Sequence, residues 1–170
     1  PLSVSKTYAK DLVSELDTLL EDSICQKMVA DVPVGILLSG GVDSSLITAI
    51  AARNSERLKT FTVRFPSSGK FDETQYARLI SKKFNTEHTE LDASSVEPDL
   101  LIKLARQFDE PIVDSSMIPT FLVSQLVQKH CKVVLGGDGA DELFGGYEHY
   151  SRMLIMEKYA RFVPKLVRSR

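Results

Sequence analysis

Val34-Gly35-Ile36-Leu37-Leu38 is a short apolar run that ends directly on Ser39-Gly40-Gly41-Val42-Asp43-Ser44-Ser45. A continuous apolar run of this length, closed by glycines, predicts a strand buried on both faces and meeting a tight turn. Leu46, Ile47, Ile50 and Ala51 then recur at helical spacing, and the pattern stops near Arg53-Asn54. The segment therefore predicts strand, glycine turn, helix. Gly40 and Gly41 permit positive φ and let a bulky anion approach the backbone. The free amides and partial positive charge of the helix start favour phosphate there, and Ser39, Ser44 and Ser45 add short hydroxyl donors. Asp43 beside a polyphosphate is repulsive by itself, so its presence implies a hard cation such as Mg²⁺ bridging the two. Neither GxxxxGK[ST] nor GxGxxG occurs in the chain, which argues against the common NTPase loop and a dinucleotide fold. Each of these residues taken singly fits a plain turn and helix cap; the whole heptapeptide after a buried strand does not.

Outward from this segment the same alternation repeats. Upstream, Tyr8, Leu12, Leu16, Leu20, Ile24 and Met28 recur every four residues and predict a helix from about Lys6 to Ala30, broken by Asp31 and Pro33. Downstream, Thr60 to Phe65 is rich in strand formers. Asp72 to Phe84 has helical spacing through Tyr76, Leu79, Ile80 and Phe84. Glu87 to Leu91 reads as a short strand and Val96 to Phe108 as a helix. Pro111 and Pro119 bracket a loop before a helix over Phe121 to Lys129. Lys132-Val133-Val134-Leu135 is a second buried strand that delivers the chain into glycines. Strands alternating with helices predict βαβ units and a doubly wound parallel α/β sheet. Ligands in such sheets sit outside the carboxyl ends of strands where strand order reverses. No internal repeat, low-complexity tract or composition shift marks a domain boundary.

The second glycine segment runs Gly136-Gly137-Asp138-Gly139-Ala140-Asp141-Glu142-Leu143-Phe144-Gly145-Gly146-Tyr147. Asp138, Asp141 and Glu142 place carboxylates immediately after a strand. Alone, Asp138-Gly139 is an ordinary turn dipeptide, and acids suit a first helical turn. Paired with the first loop, it becomes the other half of a site.

Composition bounds the remaining readings. The 170 residues fit one domain with a substantial core, and 43% apolar with 26% charged residues is ordinary for a soluble globular protein. With 21 Lys plus Arg against 23 Asp plus Glu, there is no basic footprint for nucleic acid. No apolar run reaches membrane-span length and no signal peptide opens the chain, which reads as cytoplasmic. Cys25 and Cys131 lack CxxC spacing and read as reduced core thiols. His88, His130 and His149 are isolated and make no metal site. Pro1 and Arg170 read as the ends of an excised segment.

Together the loops carry a resemblance. Ser39 to Ser45 is similar to the SGGxDS pyrophosphate-binding motif of the PP-loop ATP pyrophosphatases (the adenine nucleotide alpha hydrolase-like type). Gly136 to Tyr147 resembles the G-[ED]-G-x-D-E-x-F-G-G-Y stretch of the asparagine synthetase family. Asp109-Glu110-Pro111, Asp114-Ser115-Ser116, Pro119 and Phe71-Asp72-Glu73 agree, so the resemblance covers about Asp31 to Tyr150.

The resemblance implies the synthetase domain of a glutamine-hydrolysing enzyme. A substrate carboxylate, usually that of aspartate, attacks the α-phosphate of ATP and expels pyrophosphate; ammonia then converts the acyl-adenylate to an amide. It implies pyrophosphate and Mg²⁺ at Ser39, Gly40, Gly41, Asp43, Ser44 and Ser45, with adenine at the backbone of Leu38 and Val63. Gly136 and Gly137 are expected along the nucleotide, and Asp141 near metal and pyrophosphate or substrate. Asp138 matches a position where many asparagine synthetases carry glutamate, placed to receive protons or orient the amine. Its carboxylate is retracted by about 1.5 Å, which keeps acceptors other than aspartate open. The resemblance also implies a glutaminase domain with an N-terminal cysteine, and a catalytic lysine beyond the FGGY stretch. Neither matches a residue in 1–170, so the expected description is one truncated synthetase domain that is inactive alone. Met153, Leu154, Met156, Tyr159, Phe162, Val163 and Leu166 are expected to form a helix that packs on the remainder. The alternatives are a different PP-loop enzyme (tRNA-thiolating, GMP or NAD synthetase) and a nucleotide-binding module without catalysis. Oligomeric state is not legible.

Overall fold

The computed structural model describes residues 9–64, 73–93, 99–108, 110, 114 and 116–160. Its elements follow the order α1 (Ala9–Met28), β1 (Val34–Leu37), α2 (Val42–Arg53), β2 (Lys59–Arg64), α3 (Thr74–Phe84), β3 (Glu87–Asp92), α4 (Asp99–Phe108), α5 (Met117–Val127), β4 (Val133–Leu135), α6 (Ala140–Phe144) and α7 (Glu148–Ala160). The four strands form one sheet in the order β3-β2-β1-β4, and every neighbouring pair is parallel. The chain runs outward from β1 to β2 to β3, then crosses back so that β4 lies on the other side of β1. Strand order thus reverses between β1 and β4. That crevice is the switch point, and both glycine segments begin at its rim.

Helices cover both faces, as the doubly wound expectation requires. On one face Ile36 of β1 is sealed by Ile24 of α1 and by Ile50 and Ala51 of α2, with Leu58 below and Leu135 alongside. On the other face Phe61 packs with Val127 and Cys131, and Leu37, Leu91, Val123 and Val134 close around them. The residues alternate because successive side chains of a strand point to opposite faces. Gly35 is required here: a Cβ on it would lie 2.5 Å from the Phe61 ring and 3.1 Å from the Cys131 sulfur. Burial pushes the Cys131 thiol above its ordinary range, so it is an unreactive core group.

The structure corrects three sequence expectations. In α3 two of the four large residues do not face inward: Tyr76 and Leu79 are 53% and 63% exposed, Ile80 and Phe84 are half-buried, and Thr74, Ala77 and Ser81 form the buried stripe. Small residues let α3 approach the Gly40 turn closely. A Cβ on Gly40 would meet the Tyr76 Cβ at 2.6 Å and the Ala77 amide nitrogen at 2.8 Å. In α1 only the C-terminal half of the four-residue stripe packs, through Leu20, Ile24 and Met28; Leu12 and Leu16 are exposed. Pro119 does not end a loop but sits in the first turn of α5, which begins at Met117. An amide there has no intrahelical acceptor, so proline costs nothing.

The chain divides into two compact units, Pro1–Gly136 and Gly137–Arg170. The first holds the whole sheet. The second contains α6 and α7, and Met153, Leu154, Met156 and Tyr159 of α7 are exposed. Phe162, Val163 and Leu166 lie outside the described residues, as do Phe71, Asp72, Asp109, Pro111 and Ser115.

Candidate functional site

The turn between β1 and α2 is braced by its own side chains. Ser44 Oγ donates to the Gly41 carbonyl at 3.3 Å and accepts the Ser39 amide at 3.3 Å. Ser39 Oγ accepts the Gly41 amide at 3.1 Å and lies 3.0 Å from Ser44 Oγ. Gly40 takes φ +94°, a conformation that glycine adopts without strain. The two serines expected to face phosphate therefore also shape the turn. Helix α2 begins after Gly41 with no side-chain cap, and its first intrahelical amide bond runs from Ser45 to Gly41 at 3.0 Å. The amides of Val42, Asp43 and Ser44 precede that bond and have no helical acceptor. Asp43 is half-buried in this first turn. Ser45 Oγ is buried and has no hydrogen-bond partner among the described residues. Unmet donors, an unmet hydroxyl and a carboxylate thus share one turn at the switch point.

The end of β2 lies beside it. The Leu38 amide donates to the Phe61 carbonyl at 2.8 Å, and the Thr62 hydroxyl donates to the Leu38 carbonyl. Val63 follows at the carboxyl end of β2, and Gly136 leaves β4 half-buried, next to β1. Leu38, Ser39, Gly40, Gly41, Asp43, Ser44, Ser45, Val63 and Gly136 are all placed at the same edge of the sheet. Thr62 was not singled out from sequence, where a threonine in a strand signals only β propensity.

Gly137, Asp138 and Asp141 belong to the second unit. Gly139 at φ +90° and Gly145 at φ +69° bound the five-residue helix α6. Asp138 is exposed in the turn before it; Asp141 is half-buried within it. The Gly146 amide donates to the Asp141 carbonyl at 3.0 Å, and a Cβ on Gly146 would lie 1.9 Å from Asp141 Oδ1. The paired glycines therefore make room for that carboxylate. Tyr147 OH donates to Glu142 Oε1 at 2.7 Å. This bond pushes the tyrosine pKa up to about 12 and holds the Glu142 carboxyl below its usual range. Among the described residues no three His, Cys, Asp or Glu side chains gather to hold a metal. No helix of the described residues is long and apolar enough to cross a membrane.

A parallel sheet with helices on both faces, its strand order reversing beside the Ser39–Ser45 turn, defines a doubly wound α/β protein. The chain belongs to the asparagine synthase family, whose model matches residues 15–170. A Mycobacterium tuberculosis (H37Rv) protein, provisionally named asparagine synthetase [glutamine-hydrolyzing], is 41% identical over 155 residues, covering 91% of this chain and 24% of that protein. Asparagine synthetase [glutamine-hydrolyzing] 1 of Bacillus subtilis is 38% identical over 157 residues, covering 92% of this chain and 25% of its own length. The chain thus spans about a quarter of the length of these relatives. Among solved structures, NMN synthetase from Francisella tularensis is similar at 21% identity and a TM-score of 0.48, covering 84% of this chain and 59% of that one.

Proposed function

We propose that this chain carries the ATP-binding centre of an ATP-dependent amide ligase, which activates a carboxylate with release of pyrophosphate and passes the acyl-adenylate to ammonia. One observation carries the reading. The turn at the switch point offers the unmet amides of Val42, Asp43 and Ser44 and the unpartnered Ser45 hydroxyl, all suited to phosphate oxygens. Family membership supports the reaction class. Ser39 and Ser44 preorganise the turn, so its donors need no rearrangement to meet the pyrophosphate charge as it develops. Leu38 and Val63 present backbone to adenine, and Gly136 and Gly137 line the nucleotide. Asp43 and Asp141 are the carboxylates suited to Mg²⁺, which when bound supplies charge neutralisation along the phosphates. Asp138 is the group placed to orient the amine or take its proton.

Aspartate is the proposed acceptor and asparagine the product. The exposed, shorter Asp138 keeps a second acceptor carboxylate as the alternative within the same chemistry. In this reading the sequence is one synthetase-domain segment of a cytoplasmic protein that also carries a glutaminase domain. Neither glycine loop contains Lys or Arg, so the segment alone binds ATP without making amide. The test is calorimetry on Asp43→Asn: affinity for Mg-ATP should fall by more than affinity for ATP in EDTA. Equal losses under both conditions would remove the metal role. Failure of the full-length protein to form AMP and asparagine from ATP, ammonia and aspartate would remove aspartate as acceptor.

A further inference from the structure

The two central strands part company one residue before a regular ladder would. In a parallel pair, a residue that donates its amide to the neighbouring strand also accepts with its carbonyl from an amide two positions further along that neighbour. Leu38 donates to the Phe61 carbonyl at 2.8 Å, so its own carbonyl should accept from Val63. That bond is not made among the described residues. The Thr62 hydroxyl takes the Leu38 carbonyl instead. The Val63 amide does not turn to the other neighbour either. Bonds between β2 and β3 use the even-numbered residues of β2 and its flanks: Ala93 donates to Arg64 at 2.9 Å and Glu87 to Leu58 at 2.8 Å. Val63 therefore presents its amide toward β1 with the natural acceptor already occupied. Thr62 is 5% exposed, so the substitution of hydroxyl for amide is made inside the sheet, out of reach of water.

We propose that Thr62 is a positioning residue for the nucleotide base: by capping the Leu38 carbonyl it stops the ladder from closing and keeps the Val63 amide open to a ring-nitrogen acceptor. The role rests on the nucleotide reading of this site. The same bond fixes the Leu38-Ser39 peptide at the point where the phosphate turn begins, so base and phosphate subsites share one anchor. Without the hydroxyl, the Leu38 carbonyl would be a buried acceptor lacking a partner, and the nearest donor is the Val63 amide. The ladder would then close and the base would lose its donor.

The test compares wild type, the isosteric Thr62→Val and the hydroxyl-retaining Thr62→Ser. Hydrogen exchange at the Val63 amide, read with uniform ¹⁵N labelling, reports the ladder without any ligand. Calorimetry with ATP and with inorganic tripolyphosphate separates base from phosphate binding. In wild type the Val63 amide should exchange at least tenfold faster than the amides of Thr62 and Arg64. In Thr62→Val it should become protected, and ATP affinity should fall about tenfold, the size of one lost hydrogen bond. Tripolyphosphate affinity should be unchanged, and Thr62→Ser should behave as wild type. A Val63 amide already protected in wild type overturns the proposal whether or not the valine variant folds. So does an ATP affinity in Thr62→Val within twofold of wild type, or an equal loss of ATP and tripolyphosphate. If wild type shows the open amide but binds no ATP, the nucleotide reading fails and the assignment of Thr62 falls with it, while the interrupted ladder stands.

Discussion

Gly40 and Gly139 both hold positive φ, and the difference between them separates backbone strain from packing. Nothing lies within 4 Å of a Cβ built on Gly139, whereas one on Gly40 runs into the backbone of α3. Gly139→Ala should cost about 1–3 kcal/mol, the strain of the conformation alone. Gly40→Ala should cost more and also weaken ATP binding. Urea unfolding of the two variants checks the order, and equal losses would mean that α3 yields. His88 makes a second residue-level case. Its Nδ1 lies 2.9 Å from the Thr60 hydroxyl, its Nε2 is buried without a partner, and Glu90 and Arg78 face it. Burial, the largest influence, pushes its pKa below the ordinary 6.5; Arg78 pushes the same way and Glu90 opposes. A depressed histidine favours the neutral folded form, so its contribution is present above about pH 6.5 and lost as pH falls through the lower folded value. The urea midpoint should drop between pH 7.5 and pH 5.5 in wild type and drop less in His88→Gln. An unchanged drop would clear His88 of the effect. The Gly40 turn was legible because a heptapeptide of glycines, hydroxyls and one acid has few other uses. The His88 environment was not, because Thr60 and Arg78 reach it from other elements and share no motif with it.

Helices α1 and α2 are joined by two kinds of contact whose sizes differ. Arg53 reaches Asp17 at 3.1 Å and Glu21 at 3.7 Å, and Asn54 donates to Glu21 at 2.9 Å. All three charged groups of this cluster are well exposed, so solvent screening limits such a pair to about 0–1 kcal/mol. Beneath them Ile24 is 6% exposed and packs against Ile36 and Ile50. Truncating a buried isoleucine costs about 2–5 kcal/mol. Ile24→Ala should therefore destabilise several-fold more than Arg53→Met, and only the arginine variant's loss should shrink in 0.5 M salt. Comparable losses in low salt would show that the polar clamp is stronger than its exposure allows. Sequence periodicity identified each helix but not always the face it buries. In α1 the stripe continues to Leu12 and Leu16, which none of the described elements covers. In α3 Tyr76 and Leu79 point away while Thr74, Ala77 and Ser81 are buried, and it is the backbone at Tyr76 and Ala77 that lies against the Gly40 turn.

For the molecule as a whole, a ligand that binds only the folded state stabilises it by mass action. ATP with Mg²⁺ at a hundred times its Kd should add about 2.7 kcal/mol, and the thermal midpoint should rise in proportion to nucleotide concentration on a logarithmic scale. A midpoint unmoved by ATP would count against the site at the switch point. The alternation of strands and helices, and hence the fold class, was legible from local patterns. The order β3-β2-β1-β4 was not, since it depends on which strands meet across long stretches of chain. That order has a consequence during synthesis. β1, α2, β2, α3 and β3 can assemble as they emerge, but Val34, Gly35 and Ile36 find their other partners only at Val133, Val134 and Leu135. At about 5–20 residues per second, the intervening stretch of about 100 residues takes on the order of 5–20 s to make. Throughout that interval the growing chain displays a bare apolar strand edge to whatever shares the ribosome's surroundings. The strand destined for the centre of the finished sheet is thus, for those seconds, its most adhesive margin.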